Sequence, residues 1–227
     1  MKVSLLAPTL NEVEAVTVVL PKIDRHVVHE IIVPDAGSTD GTVEFCQQND
    51  FPLFRQKTKG YGAALKEAIE RATGDFIIEF PPDGNSMPEH IIDIVNKLNE
   101  GYDLVIASRY VAHAKSYDDD FITAIGNWLF TRMANLLFGS SFTDVLIGFR
   151  GYRKSAYQQL TMTAEGLSWS IQLPIQFFKH GFKIIDIPID EADRIGGVRK
   201  MKPFRTGWEI LKVLLKERIR GKNASSH

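Results

Sequence analysis

Asp83 and Asn85 stand two residues apart around Gly84, directly after the apolar run DFIIEF, and their side-chain oxygens can both reach one hard cation held in that loop. A turn built from Pro, Asp, Gly and Asn accounts for the same letters without any ligand. What favours chemistry is company. PTLNE at 8–12 leaves an apolar run through Pro8 and enters a helix near Asn11 and Glu12, which taken alone is a strand exit and an N-cap. PDAGSTDGT at 34–42 puts Asp35 where a strand ends, Gly37 and Ser38 in a turn, and Asp40 with Thr42 at a helix start. A carboxylate at Asp35 can accept from a base N–H or a ribose hydroxyl. Three polar loops at successive strand ends make one converging cleft.

The elements that must carry those loops follow from the apolar pattern. KVSLLAP, HEIIVP, FPLFRQ, DFIIEF and YDLVIAS alternate with helical patterns at 12–20, 42–48, 62–72 and 88–98. That rhythm predicts an α/β domain with a largely parallel sheet, helices on both faces and ligands at the carboxyl ends of the strands. The second half is less regular: a helical stretch at 121–138, a strand GFRGYR, helical patterns near Ser155 and Ile171, and a strand KIIDIPID. A Gly- and base-rich segment at 193–202 follows. In the last pattern, 204–220, Trp208, Leu211, Leu214 and Leu215 are apolar while Lys212, Lys216, Arg218 and Arg220 are basic, which predicts an amphipathic basic helix. The expected division is a main domain at 1–203 and that helix with a polar tail at 204–227.

The totals exclude several classes. A net charge of −1, from 27 basic and 28 acidic residues, supplies no global field for nucleic acid. The lone cysteine, Cys46, excludes an internal disulfide and a thiolate metal cluster. The first apolar run meets Asn11 and Glu12 too soon for a signal peptide. No stretch approaches the ~20 apolar residues of a spanning helix, because Asn127, Arg132 and Asn135 interrupt the most apolar region. The expectation is a cytoplasmic protein, or one peripheral on the cytoplasmic face of a membrane.

In order and spacing, PTLNE, DAGSTDGT, KGYGAAL, PDGN, SRY, TDVLIGFRGYR and IDIPI resemble the inverting GT-A glycosyltransferases of the family 2 type, relatives of dolichyl-phosphate mannose synthase and the bacterial polyprenyl-phosphate sugar synthases. The likeness runs over about residues 3–202. It implies a GT-A fold with a Rossmann-like nucleotide half and a mixed, largely parallel sheet flanked by helices. It also implies Mg²⁺ or Mn²⁺, a nucleotide-sugar donor such as GDP-mannose or a UDP-hexose, and a polyprenyl-phosphate acceptor. By the same resemblance, Pro8, Asn11, Glu12, Asp35 and Ser38 surround the nucleoside, and Gly60 and Gly62 line the turn beside it. Arg109 and Arg194 stand at the cleft with Asp83, Asp83 and Asn85 hold the metal, and Lys200 joins the donor side. The segment 193–202 corresponds to a loop that closes over the donor, with Gly196 and Gly197 as its hinge. Two departures stand out: Pro81 replaces the first acid of the metal motif, with Asn85 at its Gln position, and Ala36 replaces the acid that usually follows Asp35.

A phosphate monoester, with a second pKa of about 6, is already a dianionic nucleophile at neutral pH and asks for cations, whereas a hydroxyl acceptor needs a general base. Arg132 and Arg150 are the expected acceptor-phosphate cations. A neutral Gln172, where a base for a hydroxyl would be sought, favours phosphate. Transfer to a soluble, protein or glycan hydroxyl is the alternative, with a base among Asp118, Asp119, Asp120, Asp144 or Glu165. A nucleotide-binding homologue without catalysis is a third reading. For a lipid acceptor the expected partner is a membrane surface or a membrane protein, met through 121–138 and 204–220.

Overall fold

The computed structural model describes residues 1–111, 121–196 and 201–220. Seven strands form one sheet: β1 (Val3–Leu6), β2 (Glu30–Asp35), β3 (Leu53–Arg55), β4 (Phe76–Glu79), β5 (Leu104–Ser108), β6 (Arg150–Arg153) and β7 (Ile184–Pro188). Their order is β3-β2-β1-β4-β6-β5-β7. All pairings are parallel except those of β6, which runs antiparallel between β4 and β5. β1, β4 and β5 are buried along their whole length, as strands covered by helices on both faces must be, and this explains why VSLL, FIIE and LVIAS are almost unbroken apolar runs.

The chain winds outward from β1 through β2 to β3, then returns to place β4 on the other side of β1. A crevice opens at the carboxyl ends of strands where the winding reverses. The helices that follow β1, β2 and β3 are α1 (Val13–Val19), α2 (Thr42–Gln48) and α3 (Tyr61–Arg71); α4 (Ile91–Asn99) follows β4. In α4 the buried positions Ile91, Ile94, Val95 and Leu98 keep helical spacing and form its inward stripe.

The second half adds α5 (Phe121–Phe138), a short α6 (Lys154–Tyr157), α7 (Trp169–Lys179) and α8 (Pro203–Ile219). Ile210 and Leu214 bring α8 into the common core. A buried polar lock fastens it further: Glu217 accepts from Gln172 Nε2 at 2.7 Å, Gln176 Nε2 at 2.6 Å and Lys179 Nζ at 2.9 Å. A carboxylate with no solvent exposure needs such partners. Gln172 therefore belongs to helix packing, and its neutrality says nothing about the acceptor. Of the apolar residues of this amphipathic helix, Leu214 is buried, whereas Trp208 and Leu215 are more than half exposed. Among the described residues no helix is long and apolar enough to cross a membrane.

Candidate functional site

The first two loops are sewn together by their own polar side chains. Asn11 Oδ1 accepts from Thr39 N at 2.8 Å, and Asn11 N donates to Ser38 Oγ at 2.9 Å. Glu12 N donates to Thr42 Oγ1 and Val13 N to Asp40 Oδ2, both at 3.0 Å, so residues of the second loop cap the start of α1. Asp35 is buried and turns its carboxylate back on its own loop, accepting from Gly37 N at 2.7 Å and Ser38 N at 3.0 Å. Asn11, Asp35 and Ser38 are thus braces of the loops, and Pro8, Thr9, Leu10, Glu12 and Ala36 form the surface that these braces present.

That surface is one wall of a cavity of about 780 Å³. Gln56, Lys59, Gly60 and Tyr61 come from the turn into α3; Pro81, Pro82, Asp83 and Asn85 from the loop after β4; Arg109 from the end of β5. Leu146, Gly148, Leu167, Ser170, Glu191 and Arg194 close the far side, with Lys202, Arg205 and Glu209 at the α8 edge. Two glycines are required by geometry. Gly60 has φ +128° and a Cβ there would lie 2.2 Å from the Glu165 carbonyl oxygen; Gly84 has φ +95° and a Cβ there would lie 2.6 Å from Ile195.

Arg194 sits at the centre. Its Nη2 lies 2.7 Å from Glu12 Oε1 and its Nη1 lies 3.0 Å from Asp83 Oδ2. The backbone holds it there, since Ile195 N donates to the Asp83 carbonyl and Ala192 N to the Asn85 carbonyl, both at 3.0 Å. Burial pushes the Asp83 carboxyl up to about 6; Arg194 and the Asn85 N–H pull it down, while Glu12 adds to the rise. Arg109 is set differently. It forms a fork on the fully buried Asp144, with Nε to Oδ2 at 2.7 Å and Nη2 to Oδ1 at 3.1 Å, and its Nη1 lies 3.6 Å from Glu191. Arg205 Nε is 3.1 Å from Glu209. Each carboxylate lining the cavity among the described residues, Glu12, Asp83, Glu191 and Glu209, therefore faces an arginine.

Of the site residues expected from sequence, the cavity gathers Pro8, Glu12, Gly60, Asp83, Asn85, Arg109 and Arg194. Gly62 instead packs under Trp169. Arg150 is a correction: with no solvent exposure, its Nε faces Glu79 at 3.6 Å and its Nη1 donates to the Ser170 carbonyl at 2.8 Å, so it is a core residue that no acceptor reaches. Arg132 lies on the outer face of α5, 5.7 Å from the Trp128 ring, and lines no part of the cavity. Asp144, one candidate base for a hydroxyl, is engaged by Arg109. Glu165 lies outside this cavity, and Lys200, Arg199, Gly197, Asp118, Asp119 and Asp120 lie outside the described residues.

The sequence reading missed Tyr61, Lys59, Ser170, Glu191, Lys202 and Arg205. Lys59 and Tyr61 flank Gly60 in KGYG, so that motif held the signal for both. Tyr61 brings a buried hydroxyl with no hydrogen-bond partner among the described residues to the wall made by Pro81 and Gly148. Arg205 and Ser170 had none, because their place depends on how α7 and α8 pack.

A divalent ion fits the donor set in one way. Among the described residues no three His, Cys, Asp or Glu side chains converge as a ready cage. Mg²⁺, however, is usually bound through one or two carboxylates plus substrate phosphates and water, and Asp83 with Asn85 matches that pattern for an ion arriving with a diphosphate.

Known proteins match this chain in sequence and in fold. Residues 4–161 match the family model described as glycosyl transferase family 2. A dolichyl-phosphate hexose transferase of Haloferax volcanii is 30% identical over 218 residues, covering 93% of this chain and 93% of that protein. A polyprenol monophosphomannose synthase of Mycolicibacterium smegmatis is 26% identical, over 92% of this chain and 84% of that one. The structure of glucosyl-3-phosphoglycerate synthase from Mycobacterium tuberculosis, in complex with Mn²⁺, uridine diphosphate and phosphoglyceric acid, superposes with a TM-score of 0.77 at 21% identity, over 99% of this chain and 80% of that one.

Proposed function

Because this chain belongs to glycosyltransferase family 2, we propose that it moves a hexose from a nucleotide-sugar donor to a polyprenyl phosphate, with inversion at the anomeric carbon. The observation that carries the choice of acceptor is the pairing of every described cavity carboxylate with an arginine. Each of these carboxylates is turned toward a cation rather than presented to an incoming hydroxyl. Five cations, Lys59, Arg109, Arg194, Lys202 and Arg205, line the same space and suit two phosphate-bearing substrates.

In this reading the donor nucleoside lies along the wall of Pro8, Thr9 and Ala36, and its diphosphate reaches Asp83. Asp83 and Asn85 would hold a divalent ion, which supplies positive charge to the departing diphosphate. An acceptor phosphate oxygen attacks the anomeric carbon from the opposite side, and the bonding pair of the broken C–O bond leaves with the nucleoside diphosphate. No proton has to be removed from the nucleophile. Arg109, fixed by its fork on Asp144, offers charge that needs no reorganisation as the reaction proceeds. Arg194, held between Glu12 and Asp83, adds positive charge beside the diphosphate.

A lipid acceptor requires the protein to meet a bilayer, directly or through a membrane protein, and the proposal places it peripherally on the cytoplasmic face. The exposed Ile125, Trp128 and Leu129 of α5 and Phe204, Trp208 and Leu215 of α8 suit such contact, and Arg132 and Lys212 beside the two tryptophans add attraction to anionic lipid. The test is transfer of labelled hexose from a panel of nucleotide sugars, with Mg²⁺ or Mn²⁺, to polyprenyl phosphate or to soluble hydroxyl acceptors. Label in the lipid phase supports the proposal; transfer to a hydroxyl acceptor alone would replace it.

A further inference from the structure

A second cavity of about 660 Å³ adjoins the first and shares Lys59, Gly60, Gly166, Arg205 and Glu209 with it as common wall. One side is the segment 163–168 and the other is α8. Lys59, Arg205, Lys212 and Lys216 line it against Glu165 and Glu209. Four cations against two carboxylates among the described lining residues leave the groove locally basic on a protein whose net charge is −1. Phe204, Trp208 and Leu215 each directly precede a lining residue of α8, so the lip of the groove along that helix is apolar. Lys212 Nζ lies 5.4 Å from the Trp208 ring, and Phe204, Trp208, Leu215 and Ile219 all stand more than half exposed along α8.

Resting on the lipid-phosphate reading above, we propose that this groove is the acceptor's approach and seat. The phosphate is held at the junction of the two cavities by Lys59 and Arg205, and the first isoprene units run over the α8 lip past Trp208. Charge complementarity selects a phosphate, and the volume with its apolar lip selects a lipid-borne one. A free phosphate ion would fill a small part of the space, since even a water takes only about 30 Å³. The lock on Glu217 keeps α8, and so this wall, in place as the lipid enters and leaves.

The experiment is a titration of the full chain with farnesyl phosphate, read by calorimetry and by tryptophan fluorescence, with farnesol and inorganic phosphate as separate arms. UDP and GDP are titrated alongside as a measure of the donor side. The variants are Lys59→Gln with Arg205→Gln, and Lys212→Gln with Lys216→Gln; Arg25→Gln, exposed in the turn before β2 at the amino end of that strand, is the control. The expected result is at least a tenfold rise in the farnesyl phosphate Kd for the first pair and a smaller one for the second. Nucleotide affinity stays unchanged in the Lys212 and Lys216 pair, which lines only the second cavity, the circular dichroism spectrum stays unchanged in every variant, and farnesol and inorganic phosphate each bind far more weakly. Unchanged farnesyl phosphate affinity in both pairs overturns the groove and leaves the acceptor class standing. Inorganic phosphate binding as tightly as farnesyl phosphate overturns the lipid assignment. No farnesyl phosphate binding by the wild type overturns the groove together with the reading it rests on.

Discussion

Arg194 Nη1 lies 3.0 Å from Asp83 Oδ2, joining residues 111 positions apart in the lining of the cavity. The contact puts the loop after β4 and the segment after β7 under one charge balance. Removing Asp83 removes the only carboxylate of its loop at the site where diphosphate charge develops. Asp83→Ala should lower kcat by roughly 10²–10³-fold or more while the thermal midpoint stays near the wild-type value, because the side chain supports no core packing. Asn85→Ala should cost less, as an amide carries no charge. Initial rates at saturating donor and metal, with a parallel melting curve, check both; near-normal turnover in Asp83→Ala would remove the metal assignment.

Asp144 is the rigid seat of Arg109, and Asn127 Nδ2 also donates to it at 2.8 Å. Asp144→Asn halves the fork and leaves a nearly buried guanidinium without a full counter-charge. The expected stability loss is about 3 kcal/mol, of the size found when one partner of a buried pair is removed. Urea denaturation gives the loss directly.

Glu217→Ala strands Lys179, whose side chain is 3% exposed, and empties the lock between α7 and α8. The loss should again be about 3–5 kcal/mol. A double change, Glu217→Gln with Lys179→Met, removes both charges and should recover much of it. If the double variant proved as unstable as the single one, the pair would not be the cause.

Glu30 and Asp40 carry an acid dependence. Burial raises both carboxyls, but hydrogen bonds outweigh it: Ser4 and Thr73 to Glu30, Thr42 and Val13 N to Asp40, leaving each below its ordinary value. A depressed carboxyl contributes stability above its unfolded pKa and loses it as pH falls through the folded one. Stability should therefore decline below about pH 4, and Asp40→Ala, which uncaps α1, should cost about 1 kcal/mol at neutral pH and flatten that decline. Denaturation midpoints between pH 3 and 7 measure the slope.

Sequence alone determined the strands and the loops, because each is a local pattern. Each of the seven strands falls on a segment read as one, β2 running one residue further to Asp35, and PTLNE, KGYG and PDGN lie at the cavity. What a side chain faces is a tertiary matter. Arg150 has Glu79 as its cross-strand partner in β4, and a strand inserted antiparallel between two others is covered on both faces, so a basic letter in GFRGYR became a core ion pair. Asp35 stands at a strand end as expected, yet nearby N–H groups of its own loop claim its oxygens first. Arg205 and Lys59 lie 146 positions apart in sequence and share a wall only because buried Glu217, Gln172 and Gln176 fix α8 against α7. That long-range packing, which no local spacing encodes, decided where an acceptor can enter.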